Sequence, residues 1–161
     1  MDHQCNFVKG DKPYMGYTTH FIPCEKVFKF QYPVTLRHIT NRADGARVGL
    51  LNIDVADSIA LKSTLMQLVS VFNRDVNESA DFSKDPTLHN HDVIFMNMAT
   101  KAAIFDNTSK RIYAPLDKSQ QALVAISILG VKMKGTEASF MLRMKQVKLT
   151  ETDQEEYCLF D

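Results

Sequence analysis

Apolar and polar residues alternate at period two over much of this chain, and one long stretch breaks the rhythm. In "KVFKFQY", Phe28, Phe30 and Tyr32 fall on one side and Lys29 and Gln31 on the other, the mark of a strand with one buried face. Pro33 interrupts it, which predicts an edge or a bulge at that point. "VTLRHIT" continues extended, "NRADGA" reads as a turn, and "RVGLLNIDV" as the return strand of a hairpin. The period then changes. Leu61, Leu65, Leu68 and Phe72 recur at three-to-four spacing across "SIALKSTLMQLVSVF", which predicts a helix starting at Ser58 and capped by Asp57. Residues 73–92 are polar and contain Pro86. They read as a long exposed loop, of the kind that often binds something.

Strands return after it in "VIFMNM", "AAIFD" and "RIYAP", with "DNTSK" as a hairpin turn between the last two. "QALVAISILGVKMK", a "GT" turn and "ASFMLRMKQVKL" form the clearest hairpin of the chain. Ala138, Phe140, Leu142 and Met144 alternate with Ser139, Met141, Arg143 and Lys145. The alternation then slips by one, so that Val147 and Leu149 become the apolar set, and a bulge near Lys145–Gln146 accounts for the slip. Residues 1–22 hold Gly10, Pro13 and Gly16 and read as an irregular arm with one short strand at most. The fold class that follows is mostly β: five to seven strands and one central helix. Strongly twisted strands in that number close into a small barrel.

Composition narrows the class of protein. A chain of 161 residues, 45% apolar and 24% charged, is one globular domain with a real core. Cys5, Cys24 and Cys158 are widely spaced, which fits neither a disulfide framework nor a zinc site and suits a reducing compartment. The longest apolar run, "ALVAISILGV", is about half of a membrane span. The opening "MDHQCNFVKGDK" is polar, unlike a signal peptide. An intracellular protein with no membrane contact is expected. Nucleophile elbow, P-loop and dinucleotide turn are all missing from the sequence, and its acidic residues occur singly. No enzyme is expected. "HNHD" places His89 and His91 beside Asp92, but no third ligand stands at a useful spacing, so neither metal nor cofactor is expected.

Charge adds the one strong asymmetry. The formal net charge is zero, yet residues 101–149 hold nine basic and three acidic residues, about +6. The last hairpin sets Lys132, Lys134, Arg143, Lys145 and Lys148 against Glu137 alone. The following "TETDQEEYCLFD" has five negative charges and no positive one. Residues of like parity share a strand face. That pairs Lys132 with Lys134, Arg143 with Lys145, and Arg111 with Tyr113. Cations that follow phosphates, with a ring among them to stack on bases, suit a single strand of nucleic acid. A solvated charged face on an amphipathic hairpin accounts for the same residues. Of the stripe at Phe28, Phe30 and Tyr32, core packing explains the two phenylalanines, and Tyr32 at the strand end is the exposed member.

The segment "LVAISILGVKMKGTEASFMLRMKQVKL" resembles the closing hairpin of single-stranded DNA-binding proteins from phages and large DNA viruses. The acidic end with its phenylalanine is similar to the tails of the bacteriophage T7 type and of bacterial members. The match covers roughly residues 120–161, a quarter of the chain. It departs from the pattern in that Asp161 follows Phe160, and Thr152, Gln154 and Tyr157 break the acid run. The resemblance implies an OB-fold-like barrel over residues 1–150 and a flexible acidic C-terminal tail over 151–161. It implies binding of single-stranded DNA without sequence preference in replication, recombination or repair, through Lys132, Lys134, Arg143, Lys145, Lys148, Arg111, Tyr113 and Tyr32. The tail would compete with DNA for the basic groove and dock replication proteins through Glu155, Glu156, Tyr157 and Phe160. A homodimer is expected, in the cytoplasm of a bacterial host or at a site of viral DNA replication. Two alternatives stand beside it. One is a β-barrel protein–protein or assembly module of a virus or phage, binding through the 73–92 loop, with no nucleic-acid affinity. The other is a nuclease or hydrolase with a metal at His89 and His91.

Overall fold

The computed structural model describes residues 7–11, 13, 16–42, 45–50, 56–89, 94–113 and 120–150. The elements in order are β1 (Val8–Lys9), β2 (Thr18–Lys29), β3 (Val34–Arg42), β4 (Gly45–Leu50), α1 (Ala56–Asp75), α2 (Pro86–His89), β5 (Ile94–Phe105), β6 (Arg111–Ile112), β7 (Gln121–Lys134) and β8 (Glu137–Leu149). Five strands close a ring in which β3 pairs β4, β4 pairs β5, β5 pairs β8, β8 pairs β7 and β7 returns to β3. All these pairs are antiparallel except β5 with β8. β2 and β3 share one edge of β7: β2 pairs along Ala125–Met133 and β3 takes over at Gln121 and Ala122. Between them Phe30 N donates to Val124 O at 2.9 Å, so the ladder continues across the bend that Pro33 imposes. This expected interruption is therefore the corner of one long, bent run.

The helix lies between β4 and β5 and supplies much of the core. Leu61, Leu65, Leu68 and Phe72 are buried, as their spacing predicts, against Val34, Leu36, Val48, Leu50, Ile126 and Met144. Each such side chain stabilises the fold by roughly 1.5–3 kcal/mol. Phe72 meets Phe7, His20 and Phe82 edge-on, with ring centroids 5.1, 5.3 and 5.8 Å away. One expectation is corrected here. The helix begins at Ala56, ahead of Ser58. The buried carboxylate of Asp57 accepts the backbone N–H groups of Gln31 and Tyr32 at 3.0 and 2.8 Å. Asp57 thus fastens the β2–β3 bend to the helix, while its charge suits the positive end of the helix dipole.

A second correction concerns residues 73–92. The first three of them belong to α1, and Phe82, Asp85 and Thr87 are buried. The reason lies in β8, which pairs β5 only from Arg143 onward and would leave the edge of Ala138–Phe140 open. Residues 81–85 cover it. Asp81 N donates to Thr136 O at 2.8 Å, and Ala138 N donates to Asp81 O at 2.8 Å. Phe140 N donates to Asp85 Oδ2 at 2.9 Å. Phe82 stacks on Phe140 with centroids 5.2 Å apart. The segment is a strap that satisfies a strand edge. Residues 90–93 lie outside the described residues.

The final hairpin follows the predicted pattern closely. Only Gly135 and Thr136 separate β7 from β8, and Gly135 has φ of 64°, the glycine-first arrangement of a type II′ turn. Ala125 pairs Gln146 while Ile126 pairs Met144, so Lys145 is the extra residue of the anticipated bulge. At Gly130 a Cβ would collide with the His20 carbonyl, which keeps that position free of a side chain. Elsewhere the pattern under-read strand length. "VIFMNM" and "AAIFD" belong to the single strand β5, and β3 and β4 together occupy all but two residues of the expected turn at 41–46. The end of the expected "RVGLLNIDV" strand, residues 51–55, lies outside the described residues.

Candidate nucleic-acid interface

Pairing registers lay out the outer face of the barrel in rows. One row runs Arg47 on β4, Asn97 on β5, Arg143 on β8, Ser127 on β7 and Val27 on β2. The next runs Ala103, Gln146, Ala125 and Lys29. The third runs Arg111 on β6, Phe105, Lys148 and Leu123. At the opposite end, beside the hairpin turn, Lys132 pairs Ser139 and Thr19. There the Tyr17 ring lies under two ammonium groups, with Lys132 Nζ 4.9 Å and Lys134 Nζ 5.8 Å from its centroid. β7 contains no acidic residue, and β8 only Glu137 at its first position. Asp75, Glu78, Asp81 and Asp85 sit together on the end of α1 and the strap. The rows along β7 and β8 are therefore basic up to the hairpin turn, where Glu137 pairs Lys134 and Asp81 of the strap lies beside Glu137, and a row of one sign concentrates counter-ions and anionic ligands.

The basic and aromatic residues expected to meet nucleic acid have places in this layout. Tyr113 is 84% exposed, with the Arg111 guanidinium 5.0 Å from its ring centroid. The turn before them fixes that pair. Asp106 accepts from Thr108 N, Thr108 Oγ1 and Lys110 N at 2.9, 2.6 and 3.0 Å, and Ser109 takes φ of 67°. The Thr108 hydroxyl, with the Lys110 amide behind it, holds the Asp106 carboxyl below the usual carboxylate range. Lys148 shares the row of Arg111. Tyr32 is 63% exposed on the β2–β3 bend. Lys132 and Lys134 lie at the far end, nine residues along β8 from Lys148 when measured from Ser139, which is roughly 30 Å at about 3.3 Å per residue. Arg143 stands between the two ends. Among the described residues, Arg111, Lys132, Lys134, Arg143 and Lys148 form no ion pair.

The bulge changes one expected pairing. Arg143 and Lys145 do not continue one simple alternation, because Lys145 is the bulged residue and Gln146 occupies the next place beside Ala125. His89 Nε2 lies 3.1 Å from the Phe82 carbonyl, and His91 and Asp92 lie outside the described residues. So do Glu155, Glu156, Tyr157 and Phe160. Pattern reading missed Tyr17, Lys29, Phe105, Asn97, Gln146 and Arg47. Lys29 carried a usable signal, since it alternates with Phe28 and Phe30 and so must face away from the core. Tyr17 carried none, standing in an arm without periodicity.

No protein-family model matches the chain, and no curated protein matches it either. Solved structures do resemble it. The bacteriophage T7 protein gp2.5, a single-stranded DNA-binding protein, superposes with a TM-score of 0.55 at 12% identity, covering 86% of this chain and 98% of its own. The single-stranded DNA-binding protein of bacteriophage Enc34, solved in complex with single-stranded DNA, gives 0.50 at 11% identity over 91% of this chain and 96% of its own. A C-terminal truncation of the Enc34 protein gives the same score over 94% and 98%. The chain thus has the fold of phage single-stranded DNA-binding proteins, an OB-type closed barrel of five strands.

Proposed function

We propose that this protein binds single-stranded DNA without reading its sequence. The observation that carries the reading is the outer row of β7 and β8, where no acidic residue stands between Lys148 and Lys132, with the exposed Arg111–Tyr113 stack at one end and Tyr17 beneath two lysines at the other. Cations spaced along a groove neutralise phosphates, and exposed rings accept bases of any kind. A face of roughly 30 Å suits a site of about 4–16 nucleotides, the range for one barrel of this type. The fold shared with the T7 and Enc34 proteins supports the same reading. The protein acts as a binder and not as an enzyme, during replication, recombination or repair inside a bacterial host or at a site of viral DNA synthesis. Its acidic residues 151–161 compete with DNA for the basic face and recruit replication proteins, with a homodimer as the working unit.

Titration of labelled oligo-dT, oligo-U and duplex DNA at two salt concentrations tests this directly. Tight, salt-sensitive binding of single strands over duplex is expected, and equal or negligible binding of all three would overturn it. The assembly-module reading draws support from Ile59 and Met66, exposed two turns apart on α1. It predicts a partner complex that persists after the basic face is neutralised.

A further inference from the structure

The rows on the outer face are not level. Gln146 is flanked in register by Ala103 on β5 and Ala125 on β7, so large side chains are missing on both sides of it. The neighbouring row carries Phe105, Lys148 and Leu123. The strands also shift register here, between Ala125 and Ile126 on β7 and between Met98 and Ala103 on β5. Bulges of this kind increase local twist and open a surface. The result is a depression of about 220 Å³ lined by Lys29, Phe105, Leu123, Ala125, Gln146 and Lys148.

We infer that this depression is a slot for a single nucleobase of the bound strand, an assignment that rests on the single-strand-binding reading. Its volume lies below the roughly 300–1,000 Å³ of pockets that hold cofactors or drug-sized molecules, which leaves room for one ring system. Phe105 and Leu123, side by side in the neighbouring row, offer an apolar edge against which one face of a base can lie. Gln146 offers both a donor and an acceptor to the base edge. Lys29 and Lys148 flank the opening where the adjoining phosphates would run, and neither forms an ion pair among the described residues. Arg111 lies in the row of Phe105 and Lys148 and stacks on Tyr113, so the slot continues into the exposed aromatic end of the face. A strand lying there would stack one base on Tyr113 and sink a nearby one beside Gln146.

Ala125→Leu fills the slot without altering charge. Binding of wild type and variant to oligo-dT, oligo-U and an abasic oligonucleotide of equal length separates base from phosphate. Wild-type protein should prefer oligo-dT to the abasic strand. The variant should bind oligo-dT roughly ten-fold more weakly, within the range expected for one base contact, keep its affinity for the abasic strand and keep the wild-type salt slope. Oligo-U should respond in the same way, since the slot grips the base and not the sugar; a loss confined to oligo-dT would overturn that assignment. Thermal melting checks the fold, and if Ala125→Leu melts early, Gln146→Leu gives the same test. A folded variant that binds oligo-dT as tightly as wild type overturns the slot alone. Wild-type protein that binds neither single strand overturns the single-strand reading and the slot with it.

Discussion

Tyr113 combines near-complete exposure with a guanidinium already stacked on one face, which leaves the other face for a base. Tyr113→Ala should weaken single-strand binding by roughly 1–3 kcal/mol while Tyr113→Phe keeps most of it, and quenching of tyrosine fluorescence by oligo-dT should diminish with the alanine variant. His20 is a different kind of residue. Its Nδ1 is buried without a hydrogen-bond partner among the described residues, its ring packs edge-on to Phe72, and burial, followed by the charge of Lys9, lowers its pKa. The unfolded chain therefore takes up this proton first. Its contribution to stability is complete above about pH 6.5, where a free imidazole titrates, and is lost as pH falls through that value toward the lower folded pKa. Melting curves between pH 7 and 5 should fall more steeply for wild type than for His20→Gln. At this scale the sequence disclosed what parity can disclose. Arg111 and Tyr113, two apart, had to share a face. It could not disclose Asp57's partners, which are 26 and 25 residues away along the chain, because no local pattern records a tertiary hydrogen bond.

The β7–β8 hairpin is the element on which binding and stability meet. Its turn, its alternation and its bulge were all legible, since each leaves a mark within a few neighbouring residues. If Lys132, Lys134, Arg143 and Lys148 contact phosphates, log affinity should fall with log salt at about −0.7 per contact, so about −3 for four. Each change to alanine, measured by titration across a salt series, should flatten the slope by under one unit. The strap was not legible, because irregular backbone has no period and its polar composition resembles that of a free loop. Asp85 shows what it does. Burial raises its pKa while the amides of Phe140 and Thr87, donating to it, pull the pKa back. Asp85→Ala would leave those two N–H groups unsatisfied at about 1–3 kcal/mol each. It should lower the melting temperature clearly, with Asp85→Asn in between because it keeps one acceptor.

For the molecule as a whole, the strand pattern and the single strong helix were enough to predict a closed barrel. Which strands meet was beyond reach, since the β5–β8 contact joins distant parts of the chain and parallel pairing leaves no turn signature. The separation of charge was visible in outline as a basic hairpin and an acidic end. On the proposed reading, deleting residues 151–161 removes five negative charges and should raise affinity for oligo-dT, most at low salt where screening is weak. Unchanged melting together with tighter binding is the expected result. Weaker binding would make that segment part of the binding surface.

The parallel partnership of β5 and β8 also sets a schedule for biosynthesis. Translation completes β5 well before β8, the last described strand, emerges to lie between it and β7. At about 5–20 residues per second, the nascent chain spends on the order of several seconds with the β5 edge unsatisfied. β7 and β8 can zip locally as they appear, whereas ring closure has to await the C-terminal strand. A ribosome stalled before β8 would hold an open sheet with its apolar interior accessible, and chaperone capture during synthesis should peak in that interval.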